Sequence, residues 1–522
     1  MENYQTETPT PEHTKPPRHQ DQTLPENQRL CSFNPVDRSV VGEVELTPAS
    51  QSDTIVEQAS DAQRAFQRRP LDERIKIGRR LVSQVLKWRT ELLELMVDET
   101  GKSTLEARWE LWKTCDEAGE LLSQAKKRIS GDRTRQWWRP HRVIESTWQP
   151  RGVVLVVASA YEPLQTTVAP ALAALLAGNA VIVVGDERAP LTVKSVTNIA
   201  AGVTGQESLW TGWVGGRRLV DSLADRVDAV VSYGPPMMTR RLARRQGDRT
   251  IPVIGRWPTQ NAMIVLNDAD LDRAARAAVF GACSGAGRSR RAIRRIYVQD
   301  SVADLFVDSV VEQMGTLHQG SDGDGDNRKR QIGPLFEPRD LERLESLVDD
   351  ACRSGARLIA GGRPRPRCRG TYFEPTVLTG VDESMRLWRE PAPGPVVAIS
   401  SVQAPADAAR RVRDIPGYGT VAIFSANQQV ARNLAIRLEA PVVGINEVVD
   451  DLRAASPTVQ GTFDGPIDPT GADRLEALSR RVVTVERRLL GLPKVLETRH
   501  AGRTEKALDA AMSVLRFART LG

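Results

Sequence analysis

The chain has 522 residues, of which 40% are apolar and 26% charged, so it can bury ordinary cores in two or three domains and is neither fibrous nor wholly disordered. Its net charge of +6 is small for this length and does not by itself imply a nucleic-acid partner. No apolar run approaches the roughly 20 residues that span a bilayer, and the polar, proline-rich start has no secretory apolar stretch, so a cytoplasmic protein without a membrane partner is expected. Five scattered cysteines without CxxC spacing exclude a disulfide framework and a structural zinc site.

Residues 1–29 carry too few large apolar side chains to offset their ordering entropy, which predicts a disordered tail. Between Ser60 and Ile129 apolar residues recur every three or four positions, as in Leu92, Leu93, Leu95 and Met96, predicting two or three helices. The apolar run Val153 to Val157, the alanine- and leucine-rich stretch Thr167 to Ala177 stopped by Gly178, and the run Ala180 to Val184 make one βαβ unit.

Short β-branched runs follow at Val227–Ser232, Met263–Leu266, Ile296–Val298, Val421–Phe424 and Val443–Ile445, with amphipathic segments Val302–Leu317 and Leu341–Cys352 among them. The predicted class is α/β, with largely parallel sheets covered by helices. The Gly- and Asp-rich stretch at 320–326 has its glycine and terminal glutamate out of register for a calcium loop, and no metal site is expected.

Several segments stand in a telling order: SFNPVDRSVVGEV from Ser32, ETGK at Glu99, QPRGVVLVVASAYEPL from Gln149, APALAALLAGNAVIVV from Ala169, NDADLDRAARAAVFGA from Asn267, QIGPL at Gln331, YFEPTVL at Tyr372 and GPVVAI at Gly394. In this order and spacing they resemble the aldehyde dehydrogenase superfamily from about Cys31 to Arg488. The resemblance implies a Rossmann-type cofactor-binding domain (30–255, with 446–480 returning to it), an α/β catalytic-type domain (256–445) and a small β oligomerisation arm (136–150 and 481–490). Residues 491–522, with an apolar helical pattern from Ala507 to Leu521, extend past the family's usual end.

Aldehyde oxidation needs a thiolate nucleophile, an oxyanion donor, a hydride acceptor and a base for deacylation. The family supplies its nucleophile from a G-Q-x-C stretch, where this chain reads Gly287, Arg288, Ser289, Arg290; the resemblance thus puts Arg290 at the nucleophile position. It puts Arg256 at the general-base position and Tyr161 at the oxyanion position. A guanidinium stays protonated and offers only donors, so it cannot attack a carbonyl. Cys283, seven residues upstream, is the remote substitute.

At the family's cofactor positions Val184 replaces a lysine, Glu187 keeps an acidic residue, and Gly234 keeps a turn glycine that precedes two prolines at a phosphate-binding helix. Pro391 and Pro393 replace the glutamate and phenylalanine that hold the nicotinamide end. The expectation is a pseudoenzyme with no cofactor, Glu187 and Gly234 being vestigial and NAD or NADP the alternative. Its partners would be copies of itself or an active relative. Arg256, Arg288 and Arg290 are candidates for an anionic ligand, against the alternative that Glu162 or another internal carboxylate neutralises them. The second functional reading is an NAD(P)-dependent oxidoreductase using Cys283. The arginine segments lack the exposed aromatics of single-strand binders, so nucleic acid is not an expected partner.

Overall fold

The computed structural model describes residues 29–135, 142–247, 249, 251–255, 260–320, 330–365, 370–390, 392–415, 419–440, 442–449 and 473–487. The predicted tail through residue 28 and the extension 491–522 lie outside them. Arg29 itself is not tail: it opens strand β1 (Arg29–Phe33), which pairs antiparallel with β2 (Val40–Glu45), Arg29 facing Glu45.

Four helices follow, where two or three were expected: α1 (Ser52–Phe66), α2 (Leu71–Lys87), α3 (Arg89–Thr100) and α4 (Thr104–Ile129). The extra break has a local cause. Gly101 takes a left-handed φ of 67°, and Ser103 then forms a capping box with Glu106 that starts α4. Strands β3 (Asp132–Arg135) and β4 (Arg142–Pro150) come next; β3 was not expected, because its polar sequence carries no apolar alternation.

The first α/β layer runs β5 (Val153–Val157), α5 (Pro163–Ala177), β6 (Ala180–Gly185), α6 (Pro190–Thr204), β7 (Trp210–Val214), α7 (Arg217–Ala224), β8 (Ala229–Ser232), α8 (Pro236–Arg245) and β9 (Val253–Gly255). Its five parallel strands lie in the order β7-β6-β5-β8-β9. Because β6 and β8 leave β5 in opposite directions, the crevice beyond the carboxyl ends of β5 and β8 is a topological switch point, where open α/β sheets bind ligands. Every residue of β5, α5 and β6 is buried, which is why their sequence reads as apolar with little alternation.

The second layer comprises β10 (Asn261–Val265), α9 (Leu271–Cys283), β11 (Ile293–Gln299), α10 (Ala303–Gly315), α11 (Pro338–Arg353), β12 (Arg357–Ala360), β13 (Thr376–Thr379), α12 (Arg386–Arg389), β14 (Val396–Val402), α13 (Pro405–Arg413), β15 (Thr420–Phe424), α14 (Gln428–Leu438) and β16 (Val442–Ile445). Its sheet has the order β12-β13-β14-β11-β10-β15-β16, parallel except for the edge strand β12. The predicted α/β class, with largely parallel sheets, is what the chain forms.

Helix α15 (Asp473–Ala477) packs on α4 and α5, and β17 (Ser479–Arg487) pairs antiparallel with β4, giving a three-stranded sheet β17-β4-β3. Three contacts fasten this returning segment to the first layer: Arg474 Nη1 lies 2.8 Å from Glu117 Oε1, Asn179 Nδ2 donates to the Leu478 carbonyl at 2.9 Å, and Arg151 Nε donates to the Ala477 carbonyl at 2.8 Å. Among the described residues no helix is long and apolar enough to cross a membrane.

Arg474 and Glu117 are both buried, so removing one partner leaves a desolvated charge behind. Glu117→Ala is expected to cost about 3–5 kcal/mol, read as a lower midpoint in chemical denaturation, whereas Glu476→Ala at the partly exposed Arg128 pair should cost about 1 kcal/mol or less.

Candidate active site

The site is built where the loops beyond β5 and β8 meet the segment between α9 and β11. From α9 the chain passes through Gly285 (φ 62°) and Gly287 (φ 68°), both left-handed. A Cβ on Gly287 would stand 2.0 Å from the Gly394 carbonyl oxygen, and one on Gly285 would stand 1.7 Å from the Tyr161 hydroxyl, so only glycine lets this segment close against both neighbours. The Gly285 N–H donates to Glu106 Oε1 at 2.5 Å, which ties the segment to α4.

Arg290 follows and reaches back to the first layer. Its Nε lies 3.5 Å from Glu162 Oε2, and its guanidinium lies 5.4 Å from the Tyr233 ring centroid just after β8. The other oxygen of Glu162 accepts from Lys113 Nζ on α4 at 3.1 Å. The three side chains are almost entirely shielded from solvent, with Arg290 at 12% and Glu162 at 8% side-chain exposure. Burial pushes the Glu162 carboxyl up, but the charges of Lys113, then Arg290 and Arg291, outweigh it and hold the group well below the usual carboxylate range.

Tyr161 turns its hydroxyl toward Gly285, five residues before Arg290, and burial, followed by the charges of Glu106 and Glu162, raises its pKa well above the phenol range. It stays a neutral phenol. Its backbone carbonyl accepts from Lys102 Nζ at 2.7 Å, and Lys102 also pairs with Glu110. Arg288 is stacked 4.1 Å from the Phe336 ring centroid and 5.4 Å from that of Tyr161, and it donates to the carbonyls of Gly285 (3.2 Å) and Thr100 (3.3 Å). Cys283, the last residue of α9, is 3% exposed in the core of the second layer, and burial pushes its thiol up to about 12. Arg256 lies outside the described residues.

The clustered arginines therefore diverge. Arg294 donates to the carbonyls of Gly394 and Gly287, Arg241 lies 2.9 Å from Asp221, and Arg245 pairs with Asp225, while Arg240 and Arg244 are exposed. Of the candidates for an anionic ligand, Arg290 faces the internal carboxylate weighed as its alternative partner and Arg288 faces backbone oxygens.

Sequence reasoning missed Lys113, Glu106 and Glu110. The signal was present as charges at i, i+4 and i+7 on one face of a helix that is otherwise buried there. The carboxylate of Glu110 accepts the N–H groups of Leu164 (2.9 Å) and Gln165 (3.2 Å) at the amino end of α5, and Glu99 accepts those of Leu191 (2.6 Å) and Thr192 (2.8 Å) at the amino end of α6. Both helix ends are thus satisfied by internal acids.

A profile of the aldehyde dehydrogenase family matches residues 23–461. The chain belongs to that family. It is 29% identical over 399 residues, 75% of each chain, to a protein of Mycobacterium ulcerans named as a succinate-semialdehyde dehydrogenase (NADP(+)) 2. It is 30% identical over 390 residues, 74% of this chain and 75% of the relative, to one so named in Mycolicibacterium smegmatis. Its fold superposes on the NADP-dependent glyceraldehyde-3-phosphate dehydrogenase of Bacillus halodurans complexed with NADP (TM-score 0.81, 24% identity, 88% and 96% coverage). It also superposes on the betaine aldehyde dehydrogenase of Staphylococcus aureus in complex with NAD+ (TM-score 0.80, 22% identity, 89% and 93% coverage).

These findings overturn the expectation of a chain without a cofactor: relatives are named for NADP(+), and structures sharing the fold were solved with NADP or NAD+. The residues of this chain fit the adenosine half of such a group. Glu187 stands just past β6, its Oε1 3.2 Å from where a Cβ of Gly216, just past β7, would lie, so a carboxylate and a bare backbone meet beyond the carboxyl ends of β6 and β7. At α8, Pro235 and Pro236 have no N–H, and those of Met238 and Thr239 already bond the Pro235 carbonyl; Met237 supplies the remaining amide of the first turn.

Because the folded-state pKa of Glu162 is depressed, its pairing stabilises the protein above the ordinary carboxylate range and is lost as pH falls through the folded value. Glu162→Gln, which leaves Lys113 and Arg290 without that carboxylate, should cost about 3–5 kcal/mol near pH 7. The Tm difference from the wild type should shrink as pH drops below about 4; a pH-independent gap would contradict the charge assignment.

Proposed function

We propose that this member of the aldehyde dehydrogenase family holds a nicotinamide dinucleotide yet does not oxidise aldehydes, and serves as an oligomeric scaffold or regulatory subunit beside active relatives. The observation that carries this reading is the ion pair of Arg290 with Glu162 and its approach to Tyr233, Arg290 being the residue the resemblance aligns with the nucleophile. A guanidinium has no lone pair to offer a carbonyl, and one engaged with an internal carboxylate gives way poorly to substrate. Losing the nucleophile alone costs on the order of a million-fold in rate in comparable enzymes.

Glu187 supports dinucleotide binding, since a carboxylate beyond the second strand of such a sheet accepts from ribose hydroxyls and repels a 2′-phosphate. Bound there, the group supplies a hydride acceptor; the chain's own residues determine whether a hydride donor can form. The antiparallel sheet of β17, β4 and β3 presents edge strands through which copies or relatives would assemble.

The reading with Cys283 as nucleophile is less well supported. With its pKa pushed up to about 12, roughly one thiol in 10⁵ is ionised at neutral pH, and the side chain lies in the core.

Calorimetric titration should show saturable binding of NAD, with NADP weaker by about tenfold, a preference that Glu187→Gln removes. An aldehyde panel that includes succinate semialdehyde should then yield no reduced cofactor. Turnover abolished by Cys283→Ala would overturn the proposal in favour of the relocated nucleophile. In the native protein Cys283 should resist alkylation and become reactive only on unfolding, as mass spectrometry of the labelled peptide can determine.

A further inference from the structure

The first sheet ends at β7, whose outer edge is bare at Gly212. The hydrogen bonds of its neighbour establish this. Ala180 N donates to the Gly152 carbonyl and Ala158 N to the Val184 carbonyl, so Ala180, Ile182 and Val184 of β6 face β5, while Val181, Val183 and Gly185 face β7. With Ile182 opposite Thr211 and Val184 opposite Trp213, it is Thr211 and Trp213 that bond to β6, and the N–H and C=O of Gly212 and Val214 turn outward. Thr47 N donates to the Val214 carbonyl at 2.7 Å. The outward groups of Gly212 have no partner among the described residues, and because glycine has no side chain, the exposed part of this residue is its backbone.

This edge opens into a groove of about 500 Å³ between β2, α6 and β7, a volume within the range of small-molecule sites. Trp213 borders it, with its indole N–H already donated to Thr211 Oγ1 at 2.9 Å, so the ring offers a ligand its π surface and not its donor. Leu46 and Leu191 add apolar wall. Arg29 and Glu43 pair at 3.5 Å, and the exposed Glu45 and Lys194 have no ion-pair partner among the described residues. Two cations and two carboxylates leave the groove without net charge.

We propose that this groove binds a neutral purine nucleoside, the base bonded to the N–H and C=O of Gly212 and stacked on Trp213. Adenine carries a ring-nitrogen acceptor beside an exocyclic amine donor, a pair that complements the two outward groups of one strand residue, and any base presents a π-face to an indole. A phosphate would meet the two carboxylates, which favours the nucleoside over a nucleotide. Strand addition by a peptide needs a run of open outward groups; here Thr47 occupies the next carbonyl, and β7 begins only at Trp210. The groove runs along the flank of β7, whereas the dinucleotide is assigned to the crevice beyond the strands' carboxyl ends.

The test is calorimetric titration of the full-length protein with adenosine, alone and with NAD in excess. Saturable binding with the same affinity in both is expected, weakened about tenfold or more in Trp213→Leu and for purine riboside, which lacks the exocyclic amine. Absence of saturable binding, loss of it in excess NAD, or equal affinity for purine riboside or in the variant would overturn the proposal, and the NAD titration alone reports separately on the dinucleotide. Should Trp213→Leu fail to fold, wild-type crystals soaked with 8-bromoadenosine decide the matter: an anomalous peak between Gly212 and Trp213 supports the site, and a peak elsewhere or none refutes it.

Discussion

Glu162 is one point at which the two α/β layers are electrostatically joined. One of its oxygens takes Lys113 from α4, which packs on α5, and the other faces Arg290 from the segment that enters the second sheet. A carboxylate this deep is tolerated because the charges of Lys113, Arg290 and Arg291 offset its desolvation. Much of the site's character follows. Arg290, at the position the resemblance gives to the nucleophile, faces a buried acid across the cleft and lies 5.4 Å from the ring of Tyr233 at the end of β8.

A second theme is the use of internal acids at helix amino ends. Glu110 and Glu99 satisfy the first amides of α5 and α6, positions at which sheets of this kind can present a positive dipole end to phosphate. Glu187 stands beyond β6, and the opening turn of α8 lies beyond β8. The ETGK segment thereby gains a physical meaning: Glu99 caps α6, and Lys102 pairs with Glu110 while holding the Tyr161 carbonyl.

The side chains around Arg290 are each held by internal contacts. Tyr161 is a neutral phenol directed at Gly285, Cys283 is a core thiol, and Arg288 is sandwiched against aromatic rings. The cofactor question turned out differently from the reading of single positions. Replaced lysine, phenylalanine and glutamate positions suggested a protein that had abandoned the dinucleotide, yet relatives at about 30% identity are named for NADP(+).

The α/β class, the first βαβ unit and most later strands were legible along the chain, because strands buried on both faces leave continuous apolar runs and helices leave three- and four-residue periods. Segments whose structure depends on partners far away in sequence were not: β3 is polar and exists by pairing with β4, and the break between α3 and α4 rests on one left-handed glycine and a capping box. In the same way sequence alone determined that an arginine, Arg290, stands where the resemblance aligns the family's nucleophile, a matter of identity and register. Only the tertiary structure decided what that arginine does, since its acid, Glu162, and the lysine sharing it lie 128 and 177 residues upstream and meet it through packing of separate layers. Charge on a side chain is local, but the field that makes it a ligand site, a catalyst or an internal strut is set by the fold.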